Sequence, residues 1–99
     1  MSDFLARLIA VIEDRRQHPR AGSYTNRLLS DPVKAAQKVG EEANEVVVAA
    51  LAQSDQRLIE EMADLIYHSL VLLAAHGLSW SDVLTELQRR HTERSEGTR

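Results

Sequence analysis

Apolar residues recur at helical spacing along most of the chain, and the first such segment runs from about residue 3 to residue 17. This segment places four apolar residues on one side of a helix: Leu5, Leu8, Ile9 and Ile12. His18-Pro19 predicts the end of the helix, because proline disfavours helical geometry in the residue before it. Residues 20–30 are then expected to form a connector, with at most one short helical turn after Thr25.

Two longer helices with clear end signals are predicted next. Asp31 suits an N-cap and Pro32 the first helical position, so the second helix is expected to start there and run to about Ala52. Ser54-Asp55 caps a third helix. This helix is expected to continue to about residue 76 and to end at Gly77, since glycine readily adopts the left-handed backbone of a helix terminus.

A fourth helix is predicted after the capping-box-like pair Ser79 and Asp82. It is expected to be anchored by Trp80 and to fray toward Arg99. Three apolar residues of this helix are expected to face inward: Val83, Leu84 and Leu87. The pattern therefore predicts an all-α fold of four helices.

The third predicted helix carries apolar residues on nearly every side between residues 65 and 73. A helix that is apolar all round is normally buried all round, and a short chain has few elements to cover it. We therefore expect a homodimer whose interface is formed mainly by the second and third predicted helices, so that a second copy completes the helical bundle.

Composition narrows the class of protein further. The 99 residues suit one domain spanning 1–99, with a structured core over about 3–92. The net charge of -3 provides no general basic surface for nucleic acid. The absence of cysteine excludes disulfides and Cys-based zinc sites and is compatible with the cytoplasm. No apolar stretch approaches the ~20 residues of a membrane span, and no secretory signal or membrane partner is expected.

Pairs of carboxylates three residues apart occur on both the second and the third predicted helix: Glu42 with Glu45, and Glu61 with Asp64. Because a short turn joins these helices, they are expected to lie antiparallel with the two pairs roughly level. Four facing carboxylates need protons, Lys/Arg partners or a divalent cation to offset their charge. Oxygen ligands alone favour Mg²⁺, or Mn²⁺ in its place, and Mg²⁺ also binds substrate phosphates. The alternative to a metal site is a solvated acidic surface without a bound ion, which is common on helices.

Two runs of residues resemble a known signature, Lys38-Val39-Gly40-Glu41-Glu42-Ala43-Asn44-Glu45 and Glu61-Met62-Ala63-Asp64. They are similar to the Glu-Glu-x-x-Glu … Glu-x-x-Asp motif of the all-α nucleoside triphosphate pyrophosphatases, the MazG-like superfamily. Within that superfamily, residues 23–29, 31–42 and 63–73 most resemble the phosphoribosyl-ATP pyrophosphatases. The similarity covers about Phe4 to Arg90, nearly the whole chain.

The resemblance implies hydrolysis of 1-(5-phospho-β-D-ribosyl)-ATP to the corresponding AMP derivative and pyrophosphate, the second step of L-histidine biosynthesis. By the same resemblance the metal ligands are Glu42, Glu45, Glu61 and Asp64. Glu41, or a loosely bound Glu45, is the candidate catalytic base. The candidate substrate-binding residues are Lys38, Ser23, Tyr24, Thr25, Lys34 and Arg27.

Several of these residues have a structural alternative. Lys38 is equally suited to pair with the carboxylates one helical turn away, and residues 23–25 suit a turn with a helix cap at Thr25. Tyr67 and His68 are expected to pack and hydrogen-bond in the bundle or at the dimer seam rather than to bind metal. Gly40 is expected to allow a close helix approach or a bend, since glycine costs ~1 kcal/mol relative to alanine inside a helix.

Two other functions fit parts of the pattern. A housekeeping pyrophosphatase acting on free or damaged nucleotides would share the acidic helices, although residues 23–25 and the single short domain argue against it. A non-catalytic helical dimer would share the apolar surfaces but would not bind Mg²⁺.

Overall fold

The computed structural model describes residues 2–95 of the chain, and these residues form helices joined by short turns, with no strand. The helices are α1 (Ser2–Gln17), α2 (Tyr24–Leu29), α3 (Pro32–Ala52), α4 (Asp55–Ala75) and α5 (Trp80–Ser95). The predicted all-α class is therefore confirmed. The prediction of four helices is wrong, because the connector between α1 and α3 contains a fifth, short helix. None of the described helices is long and apolar enough to cross a membrane.

The additional helix, α2, starts two residues earlier than the sequence pattern suggests. Its N-cap is Ser23, whose hydroxyl accepts a hydrogen bond from the backbone N–H of Asn26 at 3.2 Å. The cap expected at Thr25 is therefore wrong, and the Thr25 side chain is available for another contact. Asn26 also donates its side-chain amide to the carbonyl of Arg15 at 2.7 Å, which fastens α2 to the end of α1. Leu28 completes the attachment by entering the core.

The predicted starts of the two long helices are confirmed by their caps. The Asp31 carboxylate accepts from the N–H of Lys34 at 3.1 Å, with Pro32 in the first turn of α3. The Ser54 hydroxyl accepts from the N–H of Arg57 at 3.1 Å at the start of α4. Each cap satisfies a backbone donor that the first helical turn leaves without a partner.

The end of α4 is a Schellman motif, as expected from Gly77. This glycine has a φ of 71°, a left-handed conformation that costs other residues a steric clash. The N–H of Leu78 donates to the carbonyl of Leu73 at 2.9 Å, and that of Gly77 donates to Ala74 at 3.0 Å. The chain therefore turns sharply after α4 and sends α5 in a new direction.

The start of α5 follows the prediction, because the Asp82 carboxylate accepts from the backbone N–H of Ser79 at 2.9 Å. Its predicted inward face is confirmed only for Val83, which is half-buried. Leu84 and Leu87 remain 44% and 53% exposed, because α5 makes few contacts with the other helices beyond Trp80, which packs against the core. The fraying predicted toward Arg99 falls partly on residues 96–99, which lie outside the described residues.

The core forms where α1, α2 and the antiparallel pair α3 and α4 meet. Its buried apolar residues are Ile12, Leu28, Ala35, Leu70, Val71 and Ala74. Burial of α4 is nevertheless incomplete, because Ile59, Met62 and Ile66 on its other side stay exposed. One chain alone therefore does not cover the helix that the sequence predicts to be buried all round.

Gly40 lies in an uninterrupted stretch of α3. A Cβ built at this position would meet no atom within 4 Å other than its own local backbone. The close helix approach expected at Gly40 is therefore not found within the single chain. The glycine instead leaves a flat patch on the outer side of α3.

Candidate acidic active site

Three carboxylates meet between α3 and α4. One oxygen from each of Glu42, Glu45 and Glu61 lies within 4.8 Å of the other two, and we call these three residues the acidic group. Glu42 and Glu61 are only 6% exposed, whereas Glu45 lies at the solvent edge. The antiparallel α3 and α4 bring the residues together, as the sequence predicts. Buried carboxylates are costly to keep charged without compensation, so this arrangement differs from a solvated helix face.

Glu42 is the least compensated member of the acidic group. Its Oε2 atom is fully buried and has no hydrogen-bond partner, although its other oxygen lies 3.5 Å from the Lys38 ammonium. A buried acceptor without a partner normally indicates a missing ligand or costs stability. A hard divalent cation such as Mg²⁺ would satisfy the atom and offset the mutual repulsion of the group. The donor set, made only of carboxylate oxygens, fits such an ion.

Asp64 does not join this close group of oxygens. Its side chain is exposed one turn beyond Glu61, and its backbone carbonyl accepts a hydrogen bond from His68. The role of Asp64 as a metal ligand therefore stays a prediction.

Lys38 lies on α3 beside the acidic group, with its ammonium nitrogen 3.4 Å from Glu41 Oε1 and 3.5 Å from Glu42 Oε1. Desolvation tends to lower the pKa of this ammonium, but the hydrogen bond to Glu41 and the nearby Tyr24 and Glu42 outweigh it, so its pKa is raised. The ion-pair role expected of Lys38 is confirmed. The pairing keeps a positive charge at the edge of the site, where a phosphate would also be attracted.

Arg57 supplies a second cation, which the sequence analysis overlooked. Its Nη2 atom lies 3.2 Å from Oε1 of Glu61, a residue that follows Arg57 by one turn of α4. The hydrogen bond to Glu60 and the charge of Glu61 raise the pKa of the Arg57 guanidinium. The available signal was the i, i+4 spacing of Arg57 and Glu61, which favours ion pairing on a helix.

Residues 23–25 lie at the start of α2, which packs against both α3 and α4. The Tyr24 hydroxyl lies 2.9 Å from His68 Nε2, and the Thr25 hydroxyl is hydrogen-bonded to the hydroxyl of Tyr67. The three rings are in contact, with Tyr67 and His68 edge to face at a centroid distance of 5.1 Å. The expectation that Tyr67 and His68 pack and hydrogen-bond in the bundle is therefore confirmed.

The remaining candidate cations have exposed side chains. The Arg27 guanidinium lies over the Tyr24 ring, 5.4 Å from its centroid. Lys34 lies one turn before Lys38 on α3 and takes part in the N-cap of α3 through its backbone N–H. Both are near residues of the site in the fold, and neither belongs to the acidic group.

A comparison with known proteins identifies the family of this chain. The family model of phosphoribosyl-ATP pyrophosphohydrolase matches residues 5–91, which is most of the chain and includes all the helices that form the site. The chain belongs to the phosphoribosyl-ATP pyrophosphohydrolase family. This confirms the resemblance drawn from the acidic motifs and from residues 23–29.

Curated members of the phosphoribosyl-ATP pyrophosphohydrolase family are similar over most of the chain. A protein of Pyrobaculum calidifontis named phosphoribosyl-ATP pyrophosphatase is 54% identical over 87 residues, covering 87% of this chain and 93% of that protein. A Caulobacter vibrioides protein of the same name is 49% identical over 90 residues, covering 91% and 84%. The histidine biosynthesis bifunctional protein HisIE of Oceanobacillus iheyensis is 45% identical over 86 residues, covering 86% of this chain and 40% of that protein.

Proposed function

We propose that this chain is a Mg²⁺-dependent phosphoribosyl-ATP pyrophosphatase. It hydrolyses 1-(5-phospho-β-D-ribosyl)-ATP to 1-(5-phospho-β-D-ribosyl)-AMP and pyrophosphate, the second step of L-histidine biosynthesis, in the cytoplasm. The observation that carries the proposal is the buried acidic group, with an unpaired Glu42 oxygen, in a chain of this family. The names of the curated relatives supply the substrate.

The acidic group would hold the ion through Glu42, Glu45 and Glu61, with Asp64 as a further ligand at the edge. When bound, the ion supplies positive charge that offsets the charge of the substrate phosphates and activates water. Glu41 is exposed and lies outside the group, so it is the side chain best placed to accept a proton from the attacking water. Glu45 is the alternative acceptor.

The substrate phosphates approach through the cationic edge of the site. The Lys38 ammonium, kept charged by its carboxylate neighbours, attracts a phosphate at the mouth of the acidic group. Lys34 and Arg27 extend this positive edge along α3 and α2. Ser23, Tyr24 and Thr25 adjoin this edge at the start of α2, where the Tyr24 ring lies beneath Arg27 and Ser23 is the N-cap.

The direct test is pyrophosphate release by the purified protein. We expect turnover of phosphoribosyl-ATP that requires Mg²⁺, with ATP and deoxynucleoside triphosphates at least about a hundredfold poorer as substrates. Growth without histidine should also return when the gene is placed in a strain that lacks this pyrophosphatase. Equal turnover of ordinary nucleotides would favour a housekeeping nucleotide pyrophosphatase. A protein that neither binds Mg²⁺ nor turns over any of these substrates would favour a non-catalytic helical dimer.

Two neutral substitutions test the solvent-side ligands. Glu45→Gln and Asp64→Asn are each expected to lower kcat by at least about a hundredfold, because a lost ligand charge is worth several kcal/mol in the transition state and each 1.36 kcal/mol is tenfold. The helical circular dichroism spectrum should not change, since both side chains are exposed. Asp55→Asn, an exposed position in the first turn of α4, is the matched control and should keep normal turnover. Wild-type rates in both variants would remove these two residues from the ligand set.

A homodimer through α3 and α4 is part of the same proposal. The exposed large apolar residues of these two helices are Val33, Val47, Val48, Leu51, Ile59, Met62 and Ile66. Val33, Gly40 and Val47 are seven residues apart and so share one face of α3, where Gly40 leaves space for a neighbouring helix. Apolar patches of this kind on a soluble protein mark interaction surfaces. A second copy of the chain is the occupant that completes the bundle.

Val47→Glu is expected to convert the homodimer into monomers, because it places a charge on this apolar face. The mass in solution, measured by sedimentation or light scattering at micromolar concentration, should fall by half. Val11→Glu on α1 is a matched control, since Val11 is 48% exposed and Val47 53%. A Val47→Glu protein that stays dimeric while Val11→Glu dissociates would move the interface to α1.

A further inference from the structure

Two consecutive residues at the start of α2 are hydrogen-bonded to two consecutive residues of α4. Tyr24 contacts His68, and Thr25 contacts Tyr67. These contacts join positions more than forty residues apart in the chain, and they lie beside the acidic group rather than within it. His68 is 7% exposed, so its ring is fixed by the fold.

The protonation of the His68 ring follows from its two partners. Its Nδ1 atom lies 2.8 Å from the backbone carbonyl oxygen of Asp64, which can only accept a hydrogen bond. Nδ1 therefore carries a proton. In the neutral imidazole the other nitrogen, Nε2, is then an acceptor, so the Tyr24 hydroxyl donates its hydrogen to Nε2 across 2.9 Å.

Because the Tyr24 hydroxyl hydrogen is used in this bond, the Tyr24 oxygen can only accept a hydrogen bond from a ligand. A phenol has one hydrogen to donate, and here that hydrogen is directed into α4. The oxygen presents lone pairs on its remaining side. Tyr24 is 40% exposed, and its ring lies under the Arg27 guanidinium and close enough to Lys38 to influence its charge. Tyr24 is therefore partly open to solvent and adjoins the cations at the edge of the site.

We propose that His68 is a positioning residue that holds the Tyr24 hydroxyl hydrogen, so that the Tyr24 oxygen accepts a hydrogen bond from a donor group on the nucleoside part of the substrate. A ribose hydroxyl and an amino group of the base are the two donors of this kind. A phosphate group that is fully ionised has only acceptors and cannot pair with this oxygen. Tyr24 thus contacts the nucleoside, whereas the phosphates would be bound by Lys38 and by the ion that the acidic group holds. The inference deepens the proposed function and rests on it for the identity of the substrate.

The first test reads the His68 tautomer directly. Long-range ¹H–¹⁵N correlation spectra of the full chain, with His68 assigned by comparison with His68→Gln, should show the proton on Nδ1. The other histidines, His18, His76 and His91, are exposed and serve as internal references. A proton on Nε2, alone or together with one on Nδ1, would mean that His68 donates to Tyr24, and the proposal would be overturned.

The second test measures nucleotide binding in the presence of Mg²⁺. The probes are ATP, 2′-deoxy-ATP, 3′-deoxy-ATP and the triphosphate of purine riboside, which lacks the 6-amino group. Wild-type protein should bind one of the three analogues about tenfold more weakly than ATP, the value of one hydrogen bond of ~1.4 kcal/mol. In Tyr24→Phe that difference should disappear. Equal binding of all four probes by the wild type, or an undiminished difference in Tyr24→Phe, would contradict the proposal.

Variants of His68 separate positioning from simple packing. His68→Gln keeps an acceptor near the place of Nε2 and is expected to retain the discrimination, whereas His68→Leu removes the acceptor and is expected to lose it. Phosphate affinity, measured with inorganic pyrophosphate, should stay within about twofold in both. If His68→Leu does not fold, the tautomer and the Tyr24→Phe comparison still decide the question. Failure of the proposed function would appear separately, as no turnover of phosphoribosyl-ATP by wild-type protein that still binds ATP.

Discussion

Glu42→Gln is expected to lower turnover by at least about a hundredfold and, at the same time, to make the Mg²⁺-free protein more stable. The loss of activity follows from removing a charged ligand of the proposed ion, whose positive charge would lower the barrier by several kcal/mol by offsetting the charge of the substrate phosphates. The gain in stability follows from the buried, unpaired Glu42 oxygen, whose cost of about 1–3 kcal/mol is relieved when an amide donor faces the other two carboxylates. Lys38 keeps Glu41 as a partner, so no cation is stranded.

Thermal melts with and without Mg²⁺ test both halves of this prediction. Without Mg²⁺ the variant should melt about 4–8 °C higher for each kcal/mol gained. With Mg²⁺ at about a hundred times its Kd, the wild type should gain ~2.7 kcal/mol, and the variant much less. Glu13→Gln, on α1 with a side chain that is 44% exposed, is the control and should change neither quantity by more than ~0.5 kcal/mol. A variant that is less stable than the wild type without Mg²⁺ would show that Glu42 is compensated in the fold.

Leu28→Ala is expected to lower the free energy of unfolding by about 2–5 kcal/mol, a large part of the 5–15 kcal/mol typical of a small domain. Leu28 is 2% exposed and is the one buried residue of α2. A helix of six residues has little stability of its own, so α2 depends on this anchor. If α2 packs less tightly on the core, the hydrogen bond between Tyr24 and His68 should also be weakened. The melting temperature should fall by roughly 8–40 °C, at 4–8 °C for each kcal/mol.

Leu87→Ala provides the comparison for Leu28→Ala. The same chemical change is made on α5, where the side chain is 53% exposed, and the expected cost is within ~0.5 kcal/mol. The KM for phosphoribosyl-ATP should rise in Leu28→Ala well below its melting temperature and remain normal in Leu87→Ala. An unchanged melting temperature in Leu28→Ala would mean that α2 contributes nothing to the core.

The long helices were predictable because their signals are local. Asp31, Pro32, Ser54 and Gly77 each act on the backbone within a few residues, so the ends of α3 and α4 can be read directly from the sequence. The meeting of the acidic residues was predictable for a related reason. A short turn forces two helices of equal length to lie antiparallel, which brings Glu42 and Glu45 opposite Glu61.

The remaining features depend on contacts between distant residues. The bond between Tyr24 and His68 joins α2 to α4, and no spacing in the sequence indicates it. Only a short helical turn after Thr25 was predicted in place of α2, and its start and length were missed because its stability comes from Leu28 in the core rather than from apolar periodicity. Leu84 and Leu87 were expected to be buried because α5 is amphipathic, but amphipathicity does not say which molecule covers the apolar side.

Lys38 and Arg57 also affect which ions can enter the site. Each forms an ion pair with a buried carboxylate of the acidic group, Lys38 with Glu42 and Arg57 with Glu61. These side chains are resident counter-ions, so the proposed metal ion would compete with them for one oxygen of each carboxylate. Sodium or potassium brings no more charge than the ammonium or guanidinium that it would displace, and therefore gains little. A divalent ion would bind more favourably than the cation that it displaces, because it carries a second positive charge. The abundant monovalent cations of the cell should therefore compete poorly for this pocket.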